Sequence, residues 1–172
     1  MEGRTILRHA AGGEHEDQEC ETAHARILAR MGPAAKDPLP GLGSAGMYTL
    51  TITDYLKCAH SLKGEIFGPA QLMHVSTFDV EVAFTKPDVD EHGILVDFAA
   101  AQQGLAAALA PLRFKNLDDV AEVKGINTTT ENLCKYLHDR IRKSLGNKFR
   151  GLLKVTMHEG RVASASYEAQ IA

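Results

Sequence analysis

The stretch Gly68-Pro-Ala-Gln-Leu-Met-His-Val-Ser-Thr-Phe-Asp-Val-Glu-Val-Ala-Phe84 decides how this chain folds. From His74 onward it alternates with period two. His74, Ser76, Phe78, Val80, Val82 and Phe84 fall on one face, and Val75, Thr77, Asp79, Glu81 and Ala83 on the other. This is a strand with one apolar face, and a histidine stands at the end of the apolar row. The stretch before it has the same phase: Tyr48, Leu50, Ile52, Leu56, Cys58 and His60 share a face, interrupted by Asp54. Two inward imidazoles at the ends of adjacent strands suit a shared metal ion. They suit hydrogen-bonded core histidines equally well, and alternation alone does not choose between the two.

Working outward, Ser61 to Met73 reads as a loop marked by Gly64, Gly68 and Pro69. After the second strand, Asp90-Glu-His-Gly93 is a tight turn into Ile94-Leu-Val. Asp97 is placed to cap a helix from Phe98 through Leu109, with Phe98, Ala101, Leu105, Ala108 and Leu112 on one side and Pro111 ending it. The loop Arg113 to Asn127 leads to Thr128-Thr-Thr-Glu131, a capping box with Thr128 as the cap. Leu133, Leu137, Ile141 and Leu145 form the ridge of the second helix, which Gly146 stops. Leu152 to Glu159 and Val162 to Ile171 make a closing hairpin across Gly160-Arg161. Leu153, Val155, Met157 and Glu159 share a face of its first strand, so a carboxylate ends an apolar row. Periodicity leaves open whether that carboxylate is held by a partner or stands in water.

Strand, strand, helix, helix, strand, strand is an α+β order that predicts a four-stranded antiparallel sheet with two helices on one face. The two open edges of such a sheet predict pairing with other copies of the chain. With 172 residues, the chain suits one domain, over 47–172, and an extension. Residues 1–46, rich in Gly, Ala, His and Glu, predict a poorly ordered extension, with a short amphipathic helix between Glu19 and Met31. Met47 is an alternative natural start, and His9, His15 and His24 lack the spacing of ligands.

A net charge of −3 and the absence of a basic cluster interleaved with aromatics give no reason to expect nucleic acid. Cys20, Cys58 and Cys134 are too few and too scattered for a disulfide framework, which points to a reducing compartment and a cytoplasmic protein. No apolar run is long enough to span a bilayer, so no membrane partner is expected.

In order and spacing, several pieces of the chain resemble the 6-pyruvoyltetrahydropterin synthase and 6-carboxytetrahydropterin synthase family. They are Ala59-His60, the His74 strand, Gly93-Ile-Leu-Val-Asp97-Phe98, Lys115-Asn116-Leu117, Thr129-Thr-Glu131-Asn132-Leu133 and Val155-x-Met-x-Glu159. The resemblance covers Met47 to Ala172. It implies the tunnelling fold, with subunits joined through their sheets into barrels, as trimers or hexamers. It also implies a lyase acting on 7,8-dihydroneopterin triphosphate, one branch of the family serving queuosine biosynthesis. In that family three histidines hold zinc. By position His60 looks like the first ligand and His74 the second, while the third position holds Ser76. The family's catalytic cysteine falls on Ala70, and its Asp-His pair on Arg113-Phe114. None of these three side chains supplies the missing acid–base group. The pterin-holding elements match: Glu159 takes the place of the carboxylate that pairs with the ring, and Thr129, Thr130 and Glu131 stand where the backbone adds hydrogen bonds.

The resemblance therefore implies a divergent, zinc-dependent pterin synthase. A variant is a changed lyase or aldolase-like reaction with Arg113 binding a phosphate or carboxylate. The alternative is a non-catalytic oligomer that binds a pterin or purine and has lost the chemistry.

Overall fold

Tyr48–His60 and His74–Lys86 form strands β1 and β2, antiparallel and in register from Tyr48 opposite Lys86 to His60 opposite His74. The computed structural model describes residues 46–172; the expected extension with its helix between Glu19 and Met31 lies outside them, Gly46 excepted. Strands β3 (Gly151–Glu159) and β4 (Ala163–Ile171) complete an antiparallel sheet of order β1-β2-β3-β4. Burial follows the predicted alternation. Ile52, Leu56 and Cys58 on β1, Phe78, Val80, Val82 and Phe84 on β2, and Leu153, Val155 and Met157 on β3 are all buried. Each such large side chain contributes roughly 1.5–3 kcal/mol when withdrawn from water.

Helices α1 (Phe98–Leu109) and α2 (Thr130–Leu145) cover that face, α1 against β1 and α2 across β3 and β4. Asp97 caps α1 as expected, its carboxylate accepting from the Ala100 N–H at 2.7 Å. The ridge Leu133, Leu137, Ile141 and Leu145 is buried, and Gly146 ends α2 with φ 54°. No helix among the described residues is long and apolar enough to cross a membrane.

Several details depart from expectation. Phe98 is exposed, and the buried positions of α1 are Ala101, Gly104, Leu105, Ala108 and Leu109. Thr129, not Thr128, caps α2, accepting from the Asn132 N–H at 3.4 Å. The hairpin turn takes three residues, Gly160 to Val162, and leaves Val162 in solvent. The two loops contain short 3-10 turns, at Glu65–Gln71, Leu117–Asp119 and Ala121–Val123.

The interruption at Asp54 has a physical cause. Arg113 Nη2 lies 2.7 Å from Asp54 Oδ2 and donates to the Tyr55 carbonyl at 2.8 Å, with its guanidinium 4.9 Å from the Tyr55 ring. The segment after Arg113 runs beside the edge of β1: Phe114 N–H donates to the Lys57 carbonyl at 2.7 Å, and Ala59 N–H to the Lys115 carbonyl at 2.9 Å. Phe114 adopts φ 58° there, a strained left-handed backbone for a bulky residue. The rest of the β1 edge and the outer edge of β4 have no strand partner among the described residues.

Two glycines give opposite expectations. A Cβ on Gly151 (φ 151°) would stand 2.7 Å from the Thr85 carbonyl oxygen, whereas on Gly104, inside α1, it would meet nothing nearer than Ser144 Oγ at 3.7 Å. Gly151→Ala is expected to destabilise the chain by about 1–3 kcal/mol. Gly104→Ala is expected to stabilise it by roughly 0.5–1 kcal/mol. Denaturant unfolding of both variants checks the pair of signs.

Candidate functional site

The site forms where β1 ends and β2 begins. Directly opposed residues of antiparallel strands share a face, so the pairing of His60 with His74 brings their rings to 4.6 Å between centroids, tilted by 45°. Ser76, two residues further along β2, takes the same face opposite Cys58. Glu159 arrives from β3, where it pairs with Phe78, and so lies diagonal to Ser76. His60 is 3% exposed and Ser76 6%, while His74 is half-buried and Glu159 opens to solvent.

Both ring nitrogens of His60 are engaged. Nδ1 lies 3.0 Å from Thr128 Oγ1 and 3.1 Å from the Thr128 carbonyl oxygen; Nε2 lies 3.3 Å from Ser76 Oγ. The Ser76 hydroxyl donates to Glu159 Oε1 at 3.4 Å. A carbonyl oxygen only accepts, so Nδ1–H of the neutral ring donates to the Thr128 carbonyl, and Nε2 faces the Ser76 hydroxyl with its lone pair. One connected cluster thus runs from Thr128 through His60 and Ser76 to the Glu159 carboxylate.

Burial lowers the His60 pKa below its ordinary 6.5, and His74 adds to that. The Thr128 carbonyl, Glu159 and Asp118 pull the other way without reversing it. The ring is therefore neutral at neutral pH. Burial, with help from Glu159, pushes the Cys58 thiol up to about 11. Cys58 is thus a thiol and does not stand in for a nucleophilic cysteine.

The sequence-predicted residues separate into two sets. His60, His74, Ser76 and Glu159 converge. Thr129, Thr130 and Glu131 begin α2 immediately after Thr128, but no hydrogen bond joins them to the cluster, and the Thr129 hydroxyl serves the cap. Ala70 takes part through its carbonyl, which accepts from Leu62 N–H at 2.9 Å. Arg113 is held at Asp54, six positions up β1 from His60, or about 20 Å along a strand. Its expected role in binding a substrate anion does not fit that placement. The sequence reading gave Thr128 only as a helix cap and did not single out Asp118. Asp118 accepts from Ser61 N–H at 3.2 Å and Ser61 Oγ–H at 2.7 Å, which fixes the backbone just after His60. A signal for Thr128 was present: of three consecutive threonines only one can cap, leaving another free.

The expected zinc site at His60 and His74 does not match these donors. Among the described residues no group of three His, Cys, Asp or Glu side chains is arranged to hold a metal ion. The third position offers a neutral hydroxyl, a poor ligand beside an imidazole or thiolate, and that hydroxyl already faces His60 Nε2.

A family model described as 6-pyruvoyl tetrahydropterin synthase matches residues 49–170. No curated protein matches the chain. Among solved structures, the 6-pyruvoyl tetrahydropterin synthase of Caenorhabditis elegans is 22% identical with a TM-score of 0.64, over 72% of this chain and 96% of that one. The Plasmodium vivax 6-pyruvoyltetrahydropterin synthase is 13% identical with a TM-score of 0.61, over 73% and 99%. An uncharacterized protein from Wolinella succinogenes is 13% identical with a TM-score of 0.54, over 70% and 97%. At these identities the likeness concerns the fold, which is the tunnelling fold expected above.

The lowered His60 pKa has a consequence for stability. As pH falls below 6.5, the unfolded chain takes up a proton at His60 that the folded chain resists, so the folded state loses stability down to the folded pKa; above 6.5 the contribution is constant. Stability measured by denaturant unfolding is expected to fall as pH drops below 6.5, and less steeply in His60→Gln. Equal slopes in the two proteins would show that His60 does not carry the effect.

Proposed function

The chain belongs to the 6-pyruvoyl tetrahydropterin synthase family, and from that premise we propose that it binds a dihydropterin of the 7,8-dihydroneopterin triphosphate class through Glu159. The observation that carries this reading is the link from His60 through Ser76 to Glu159, beside the half-buried His74. It leaves one carboxylate open to solvent at the rim of an otherwise apolar row of β2 and β3 residues. A carboxylate so placed accepts two adjacent N–H donors of a flat heterocycle, and charge-assisted pairs of this kind are short and directional. Thr128 sets the start of α2 against the same corner, which supports Thr129, Thr130 and Glu131 as neighbours of the bound ring.

Family membership supports lyase chemistry of the 6-carboxytetrahydropterin or 6-pyruvoyltetrahydropterin synthase kind. His74 is then the group placed to exchange a proton with bound ligand, since His60 is closed in by Thr128 and Ser76. A specific observation favours a second reading, binding without turnover: Ala70, Arg113 and Phe114 bring no acid or base to the site, and Arg113 is tied to Asp54. The unpaired edges of β1 and β4 support a homo-oligomer, as a trimer or hexamer, and we place the protein in the cytoplasm.

Calorimetry with dihydroneopterin triphosphate is expected to show binding that Glu159→Ala weakens by about 1.5–3 kcal/mol, the worth of hydrogen bonds to a charged group. Absence of heat with the unaltered protein, or unchanged affinity in Glu159→Ala, would overturn the assignment. Turnover of the same compound separates the lyase from the binding protein.

A further inference from the structure

We propose that residue 76 decides whether this site holds a metal ion, and that with serine there the site works without one, its imidazole tied by hydrogen bonds to Glu159. The statement concerns the same site as the proposed function but does not need the pterin reading.

Three features carry it. His60 and His74 stand opposite each other with rings 4.6 Å apart, so two nitrogen donors are present. A divalent transition metal needs at least a third protein donor of comparable strength, and on this face of β2 it has to come from position 76, from Cys58 opposite, or from Glu159 on the next strand. Cys58 is buried in the apolar core, 2% exposed. The Glu159 carboxylate is separated from His60 by the Ser76 hydroxyl, which contacts both, at 3.3 Å to Nε2 and 3.4 Å to Oε1. The remaining candidate is Ser76 itself, a neutral hydroxyl that already donates to Glu159.

The second feature is steric. The Ser76 hydroxyl lies 3.3 Å from His60 Nε2, in front of the nitrogen that would ligate, so a metal ion there would have to displace it. Third, the carboxylate that the hydrogen-bonded arrangement leaves open to solvent is Glu159, Asp118 being taken up by Ser61. Such a site recognises N–H donors on a ligand edge, whereas a divalent cation in the same place would recognise anionic oxygens.

The test is metal content of the full chain, expressed in zinc-supplemented medium, dialysed, and measured by atomic emission. The unaltered protein is expected to retain less than about one tenth of an equivalent, and Ser76→Ala the same, since it adds no donor. Ser76→His adds a third imidazole on the face of His60 and His74 and is expected to retain about one equivalent, lost again in the Ser76→His, His60→Ala double variant. Ser76→Cys, nearly isosteric with serine, is measured in parallel and is expected to gain zinc in the same way, so the test survives if histidine is too large to fold. Circular dichroism and thermal melting confirm that each variant is folded.

About one equivalent of zinc in the unaltered protein, removed by His60→Ala or Glu159→Ala, would overturn the proposal. So would folded Ser76→His and Ser76→Cys proteins that both remain empty. Neither result bears on pterin affinity, which is read separately by calorimetry.

Discussion

Burial of a neutral imidazole is the constraint on which the rest of the site depends. His60 sits at the end of β1 with almost no exposure, and polar partners at both nitrogens offset the cost of burying it. Those partners come from three separate parts of the chain. Thr128 precedes α2, Ser76 lies on β2, and Glu159, one step beyond Ser76, ends β3. The ring therefore fixes the corner where strand ends and helix start meet, and it turns a sheet that is otherwise a simple antiparallel meander into a surface with a recognition group. The strand register does the rest. A shift of one residue between β1 and β2 would carry His74 and Ser76 to the opposite face and leave His60 without its link.

Much of this was legible because a half-buried sheet writes its faces into the sequence with period two. Every apolar position read from β1 and β2 between Ile52 and Phe84 is buried, and the one break, Asp54, is where Arg113 reaches in from a loop. That pairing was not readable: the two residues are far apart in sequence, and no local pattern announces a contact made through a 3-10-rich loop. The same limit applies to Thr128. Its spacing to Glu131 satisfies the rule for a helix cap, but tertiary demand from His60 takes its hydroxyl and passes the cap to Thr129. Phe98 fails for a simpler reason, since helical phase says which side a residue occupies and not how deeply it is covered.

The likeness to pterin synthases and the departure from them share one place. Fold and strand order follow the family closely enough for a model to match across 49–170. Within that frame, the proposed binding of a heterocycle and the proposed absence of a metal ion both rest on the corner where His60, His74, Ser76 and Glu159 meet. On that proposal a serine in place of an imidazole gives the corner hydrogen bonds beside a carboxylate and not a doubly charged centre. Fold and chemistry are separable in principle, and the site has to be argued from its own residues.

The claim at the centre is that His60, Ser76 and Glu159 form one connected chain. The ring nitrogen resonances of His60, recorded by long-range proton–nitrogen NMR in the unaltered protein and in Glu159→Gln, examine it most directly. The account predicts a neutral ring with its proton on Nδ1 at neutral pH, and a displacement of the Nε2 resonance when Glu159 loses its charge. A spectrum of His60 indifferent to Glu159→Gln would contradict it.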